Sequence, residues 1–519
     1  MDVKILRRCF FAGKIGSKQR YVHQKENYVI RISLLTISLV MLLSVPAFAK
    51  ITILDLKNDL GKVWASGEIV IRYENFNWFE PAPGENDNND YNYYFTRSRL
   101  GLGYEYKWIE IFVQAQHTHI WDLPDSANAP APAGSLGSGA VYYAFRRNRY
   151  YHSTFIKQGY ILIKNIINSD ISLKGGRFEY LDALEVTYDN PKVMWLKKAR
   201  LAERLIGPFG YSAFTRSFDG GELSIDRNLF NVTATVSHPT EGGFENDANH
   251  HIDDITLVTG TLTLKYDKII PHTENRLFYF FYNDDRKILK ADNTPRMSLI
   301  NRGNIEMHTL GFHLLSTLGL GPGVGDVLLW GVWQWGDWGR LSHNAWAWDV
   351  EMGYQFTGIY ASPWLRVGYF MSSGDSNPVD SEHETFFQIL PTARKYARFP
   401  FYNLMNNEDF FIQLIARPIK KVSIRADGHF LYINEREDRW YAGPGANRDR
   451  GSIFGYSGRP SFGDSDLAQL IDLSLVFDIS THINLEAYYG HAWGDDVIEN
   501  IYERDDEADF FMLELRLKF

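Results

Sequence analysis

Phe511, Leu513, Leu515, Leu517 and Phe519 take every second place at the end of the chain, and Met512, Glu514, Arg516 and Lys518 fill the places between. Successive side chains of a β-strand point to opposite faces, so this pattern predicts a strand with one apolar and one polar side. The pattern recurs far upstream. Ile69, Ile71 and Tyr73 alternate with Glu68, Val70, Arg72 and Glu74. Leu100, Leu102, Tyr104 and Tyr106 oppose Arg97, Arg99, Gly101, Gly103 and Glu105, and Ile109, Ile111, Val113 and Ala115 oppose Glu110, Phe112, Gln114 and Gln116. After Ala49 there is no apolar run of about 18 residues, so no spanning helix is expected there. Strands whose second face carries Arg and Glu, repeated nearly to the end, predict an all-β protein. The architecture expected is a transmembrane antiparallel β-barrel, with lipid against the apolar face and a polar interior.

The N-terminal stretch is of another kind. Arg31 precedes an apolar run from Ile32 to Val45, and Ala47-Phe48-Ala49 follows. A basic flank, a short apolar region and an A-x-A site predict a secretory signal peptide. Residues 1–49 are thus expected to be an N-terminal extension plus signal peptide, and 50–519 the barrel. Cleavage after Ala49 removes eight Lys and Arg and two Asp and Glu, taking the net charge from −9 to −15. That balance argues against a nucleic-acid-binding surface. The one cysteine, Cys9, precedes the site, so the mature chain is expected to hold no disulfide, thiol nucleophile or thiolate metal site.

Aromatic residues make up 15 % of the chain, and many sit near predicted strand ends: Trp78 and Phe79, Trp108, Trp121, Tyr142 and Tyr143, Trp440 and Tyr441. Girdles of amphipathic rings at the headgroup level account for such a distribution, as does an aromatic core. In the cluster WGVWQWGDWG, Trp333 and Trp335 share a face, which points to lipid or girdle contact. Short turns such as Asp267-Lys268 contrast with long polar loops at 80–90, 123–139, 373–384 and 443–466. Short periplasmic turns and long extracellular loops are the arrangement of an outer-membrane barrel. Residues 192–205 (KVMWLKKARLAERL) break the strand pattern with helix-favouring composition and stop at Gly207-Pro208. This piece is expected either outside the barrel or folded into its lumen.

Several short motifs, in shared order, resemble the alginate export family of outer-membrane porins. Thr96-Arg97-Ser98-Arg99-Leu100-Gly101 resembles an early Arg-rich strand, Gly176-Arg177 a Gly-Arg strand, and Arg216-Ser217-Phe218-Asp219-Gly220 an RSFDG-like element. Ser373-Gly374-Asp375, Thr385-Phe386 and Leu390-Pro391-Thr392 resemble a stretch reading SGD…TF…LFPT; Asp427, His429 and Asp438 to Tyr441 resemble a late DxH and D-x-x-Y. Leu390 stands where the family commonly has Phe, and Lys395-Tyr396-Ala397-Arg398 replaces an aromatic-Gly ending. The resemblance implies a monomeric barrel of about 18 strands, where strand length alone gives about 14 to 18. It also implies a Gram-negative outer membrane, assembly directed through Phe519, and periplasmic polymer-handling partners.

The expected function is a channel for an anionic polysaccharide, an alginate-like polyuronate or its fragments. The alternative is a porin for small organic anions or general solutes. Rings of Arg or Lys select anions, and guanidinium presents a planar fork of donors to carboxylate. The candidate pore-lining cations are Arg72, Arg97, Arg99, Arg177, Arg216, Arg366 and Arg425. Glu105, Asp219 and Asp427, with Glu68, Glu74, Glu110 and Glu179, are candidates to orient them. Such Arg–Glu ladders also serve simply to brace a barrel wall. No catalytic residue, metal site or cofactor is expected. His117 and His119 share a strand face but suit an interfacial position, and His250-His251 and Asp87 to Asp90 suit solvated loops. G-x-S-x-G, H-E-x-x-H and P-loop motifs are absent. A barrel-wall hydrolase or an adhesion scaffold remains the reading from another class.

Overall fold

The computed structural model describes residues 50–519 except 57–59, 83, 85–87, 167–169, 245–246, 291–302, 393–395, 444, 447 and 450–457. The expected signal peptide, Cys9 and Asp87 lie outside the described residues. The strands in the first half are β1 (Ile51–Asp55), β2 (Lys62–Asn77), β3 (Asp90–Tyr106), β4 (Ile109–Trp121), β5 (Tyr151–Ile163), β6 (Ile171–Phe178), β7 (Phe218–Asp226), β8 (Phe230–Pro239), β9 (Ile255–Leu264) and β10 (Thr273–Asp284). There follow β11 (Ile305–Leu320), β12 (Gly323–Trp338), β13 (Leu341–Phe356), β14 (Trp364–Ser372), β15 (Glu382–His383), β16 (Glu408–Ile419) and β17 (Val422–Tyr432). The last are β18 (Arg439–Tyr441), β19 (Gly458–Pro460), β20 (Asp466–Asp478), β21 (Ile483–Gly494) and β22 (Glu507–Lys518).

Among the described residues, one sheet holds 20 strands. β1 is a short flap on the first residues of β2, Lys62 to Ala65, and β15 is a two-residue appendage parallel to β13. The remaining 18 antiparallel strands form a closed wall. β2 seals it against β22, from Glu68 opposite Lys518 to Asn77 opposite Asp509. Closure leaves no unpaired edge, which is what allows strands to cross a hydrocarbon layer.

Alternation sorts the side chains as the sequence reading requires. Ile71, Leu100, Leu102, Ile111, Val113 and Leu513 are exposed on the outer face, while Arg72, Arg97, Glu110, Gln116 and Glu514 point inward and are buried. Trp333 and Trp108 also lie exposed on the outside, as a girdle position demands. Trp78, Phe79, Tyr142, Trp440 and Tyr441 do not. They are buried in hydrophobic clusters inside the loop end, because the lumen is filled there and needs a core of its own. Connections such as 265–272, 321–322, 420–421 and 479–482 are short at one end, and 122–150, 179–217, 373–407 and 433–465 are long at the other. The short-turn end is periplasmic by that asymmetry.

Candidate functional site: the barrel lumen

The lumen is occupied by the chain's own connections. Residues 192–205 fold inward: Asn190 caps a helix, Pro191–Leu196, by accepting from the Lys192 and Val193 amides at 3.0 and 3.2 Å, and a π-helical turn, Lys197–Leu201, follows. Its basic residues meet acids on the wall. Lys192 lies 3.2 Å from Asp326, Lys197 2.8 Å from Glu274, Arg200 2.8 Å from Glu351 and Arg204 2.6 Å from Asp349. The 373–407 connection follows it inside. The Leu390 amide donates to the Leu205 carbonyl at 2.8 Å, and the Gly207 amide to the Leu390 carbonyl at 2.9 Å.

Each expected pore residue has a definite place. Arg72 is buried, paired with Glu514 at 2.5 Å and Glu74 at 3.2 Å, and donates to the Tyr211 carbonyl. Arg97 is buried and donates to the carbonyls of Gly210 and Ser212 at 3.0 and 2.8 Å, with Glu68 3.8 Å away. Arg366 is buried between Asp326 and Glu351 at 3.1 and 2.7 Å. These three face inward but act as braces, tying strand to strand or wall to inner segment. Arg99 keeps 12 % exposure beside Glu179 at 3.4 Å and Glu68 at 3.9 Å. Arg425 keeps 18 %, 2.6 Å from buried Asp427. Glu105 pairs with Lys164 at 2.8 Å near the short-turn rim.

Three positions depart from expectation. Phe178 and Phe218 are the buried, inward neighbours of Arg177 and Asp219, while Leu173 and Leu223 are exposed outside. Alternation therefore turns Arg177 and Asp219 outward, where two bonds of 2.6 Å join them and Asp219 also meets His251 Nδ1 at 3.0 Å. They do not line the pore. Arg216 lies off the wall, buried in the loop layer with Phe209 and the Ala446 carbonyl. The His117 and His119 rings face outward beside His152.

The cations that reach open space were largely not singled out from sequence. Arg516 is 32 % exposed and Arg398 30 %, and Lys518 is about half exposed. Lys174 is partly exposed beside Glu222 at 2.6 Å. Each is tempered by an acid: Arg516 by Glu514 at 2.7 Å and Arg398 by Glu486 at 2.7 Å. Arg516 and Lys518 were legible from the polar face of β22, by the same alternation that found Arg99. Arg398 lies on an inward loop and carries no periodic signal. Lys157 is buried, donating to the Arg216 carbonyl and pairing with Glu179 at 3.1 Å.

Among the described residues, one grouping has the composition of a metal centre: Asp427, His429 and Asp472 on the inner wall.

The model of the family described as alginate export matches residues 154–510. None of the curated proteins compared matches the chain. Among solved structures, the outer-membrane protein OpdK of Pseudomonas aeruginosa is similar with a TM-score of 0.52 at 10 % identity, over 88 % of this chain and 98 % of that one. OccK8 (OprE) of the same organism reaches 0.51 at 11 % and OpdQ 0.51 at 12 %, with the same coverage. At such identities the likeness is one of fold.

Proposed function

Because the chain belongs to the alginate export family and forms a porin-type barrel of the Gram-negative outer membrane, we propose that it is a channel for an anionic polysaccharide of the polyuronate kind, or its fragments. The observation that carries this reading is the set of partly exposed cations, Arg99, Arg398, Arg425, Arg516 and Lys518, in a lumen whose other arginines are buried. Partly solvated guanidinium groups attract carboxylates without a full desolvation penalty. Their neighbouring Glu and Asp side chains weaken each contact, which passage requires, since a site that binds too tightly does not conduct. On this reading the protein is not an enzyme. It works as a monomer, is inserted by the barrel assembly machinery through Phe519, and receives polymer from periplasmic handling proteins after removal of residues 1–49.

A second reading has its own observation. The inner segments 179–217 and 373–407 are ion-paired to the wall, which suits passage of small organic anions or general solutes better than a chain of sugars. One OpdK structure was determined with vanillate, a small carboxylate. The two readings part in a planar bilayer. Anion selectivity under a salt gradient, with block by added polyuronate and none by a neutral glucan of similar length, supports the polysaccharide channel. Anion selectivity with no polyuronate block moves the assignment to small anions, and cation selectivity overturns both anion readings.

A further inference from the structure

We propose that Asp427, His429 and Asp472 form a binding site for a divalent transition-metal ion of the zinc class, built into the inner wall where β16, β17 and β20 meet. Asp427 on β17 stands directly opposite Asp472 on β20, and His429 lies two residues further along the same inward face. All three are buried, and their ligand atoms lie within 4.8 Å of one another. A nitrogen and two carboxylate oxygens at that spacing match a three-ligand protein site with a position left for water.

The hydrogen-bond pattern around the cluster is what points to an ion. Asp409, on β16, takes His429 Nδ1 at 2.9 Å with each of its oxygens. That places a proton on Nδ1 and turns Nε2 toward Asp472, 3.6 Å away, where a neutral ring would present its lone pair. Metal-bound histidines commonly carry such a carboxylate behind them. His429 Nε2, Asp427 Oδ1 and both oxygens of Asp472 are buried without a hydrogen bond. The other oxygen of Asp427 is held by Arg425 at 2.6 Å and Gln413 at 3.1 Å, so Oδ1 is turned to the cluster. Two carboxylates directly across a strand pair repel, and Arg425 comes no nearer to Asp472 than 3.8 Å. A divalent ion neutralises that pair and uses every open ligand atom. The Asp-x-His spacing evident in the sequence supplies two of the ligands from one strand face. Bound there, the ion ties β17 to β20, with β16 attached through Asp409, beside the inner segment whose Tyr396 carbonyl Arg425 also holds.

The test uses the full barrel, stripped with a chelator and titrated with zinc chloride by calorimetry, then crystallised with zinc for anomalous diffraction. The expected result is one tight ion per chain, with an anomalous peak about 2.0–2.2 Å from His429 Nε2 and an Asp472 oxygen. Asp409→Asn removes no ligand and should weaken binding by about 10- to 100-fold. His117→Ala, on the outer face, should leave the tight ion in place. The proposal is overturned by saturating zinc that gives no peak at this place in the wild type. It is equally overturned by binding that His429→Ala and Asp472→Asn, checked for folding by heat-modified gel mobility, both retain. Either result would leave a protonated His429 bridging Asp409 and Asp472 with no metal.

Discussion

Arg204 reaches from the inner segment to the wall and sets its Nη2 2.6 Å from Oδ2 of Asp349, with both side chains 1 % exposed. Glu351 is 3.7 Å from the same nitrogen, and the guanidinium lies over the Trp330 ring at 4.6 Å. Removing one partner of such a pair leaves a buried charge uncompensated. Arg204→Ala should therefore lower stability by about 3–5 kcal/mol, read as a shift in urea unfolding of vesicle-inserted protein. Replacing both partners with apolar residues, Arg204→Met with Asp349→Leu, should restore most of that loss. A double variant as unstable as the single would show that Glu351, not Asp349, is the partner that matters.

Selectivity should follow exposure, not the mere presence of arginine. Arg398→Glu with Arg516→Glu reverses two charges that face open lumen. The anion-to-cation permeability ratio should fall by roughly tenfold at low salt and recover toward wild type near 1 M, where screening is short-ranged. Arg366→Gln, in a buried triad with Asp326 and Glu351, should instead destabilise the barrel and leave the reversal potential of the folded fraction nearly unchanged. The measurement is the zero-current potential in a bilayer, taken for both variants at two salt concentrations.

How far the residues announced this arrangement depended on which face the core occupied. Alternation alone sets Arg97 and Arg99 inward and Leu100 and Leu102 outward, because β3 is long and its outer face closes on the apolar run Leu100, Leu102, Tyr104 and Tyr106. At Arg177 and Asp219 the motif resemblance, not alternation, carries the pore-lining expectation, and the strand pattern is too short to correct it. There β6 and β7 are short, Gly175-Gly176 and Gly220-Gly221 carry no face information, and the inward positions hold Phe178 and Phe218, packed with Tyr180. Where the lumen is filled by chain, its lining turns apolar and the inside–outside code inverts. Trp440 and Tyr441 take the core reading of the two that their sequence positions allow, for that reason. The basic run in 192–205 was visible as a helix, but its partners, Asp326, Glu274, Glu351 and Asp349, lie on strands far along the chain, and only the fold brings them together.

The connections at the long-loop end contain a buried acid pair that should respond to pH. Asp438 accepts from the Asp375 amide at 3.0 Å, Thr385 Oγ1 at 2.6 Å and Tyr441 Oη at 3.0 Å. Burial nevertheless pushes its carboxyl up to about 6. Burial, with Asp438 and other nearby carboxylates, pushes Asp375 up to about 7. Both groups hold protons more tightly in the folded loops than in unfolded chain. Their stabilisation is complete below the ordinary Asp range near pH 4 and is lost as pH rises through about 6 to 7. Limited proteolysis of the 373–392 region should accordingly be slower at pH 5 than at pH 8. Asp438→Asn should flatten that dependence, and a wild-type rate equal at both pH values would refute the coupling.

Gly67 is where the barrel seam admits no side chain. Its amide donates to the Phe519 carbonyl at 2.9 Å and its carbonyl accepts from the Phe519 amide at 3.0 Å, while the Phe519 ring covers its Cα. A Cβ on Gly67 would come within 2.2 Å of that ring. Alanine in a strand normally gains about 0.5–1 kcal/mol over glycine. Here Gly67→Ala must displace the ring and should cost about 1–3 kcal/mol, as overpacking does. The sign should reverse in a Phe519→Ala background, where the space is open, so the two substitutions should couple strongly in a double-mutant cycle. Urea unfolding of the four proteins in vesicles measures the coupling directly. Additive effects would mean that the ring rests elsewhere and that the paired backbone alone closes β2 on the chain end.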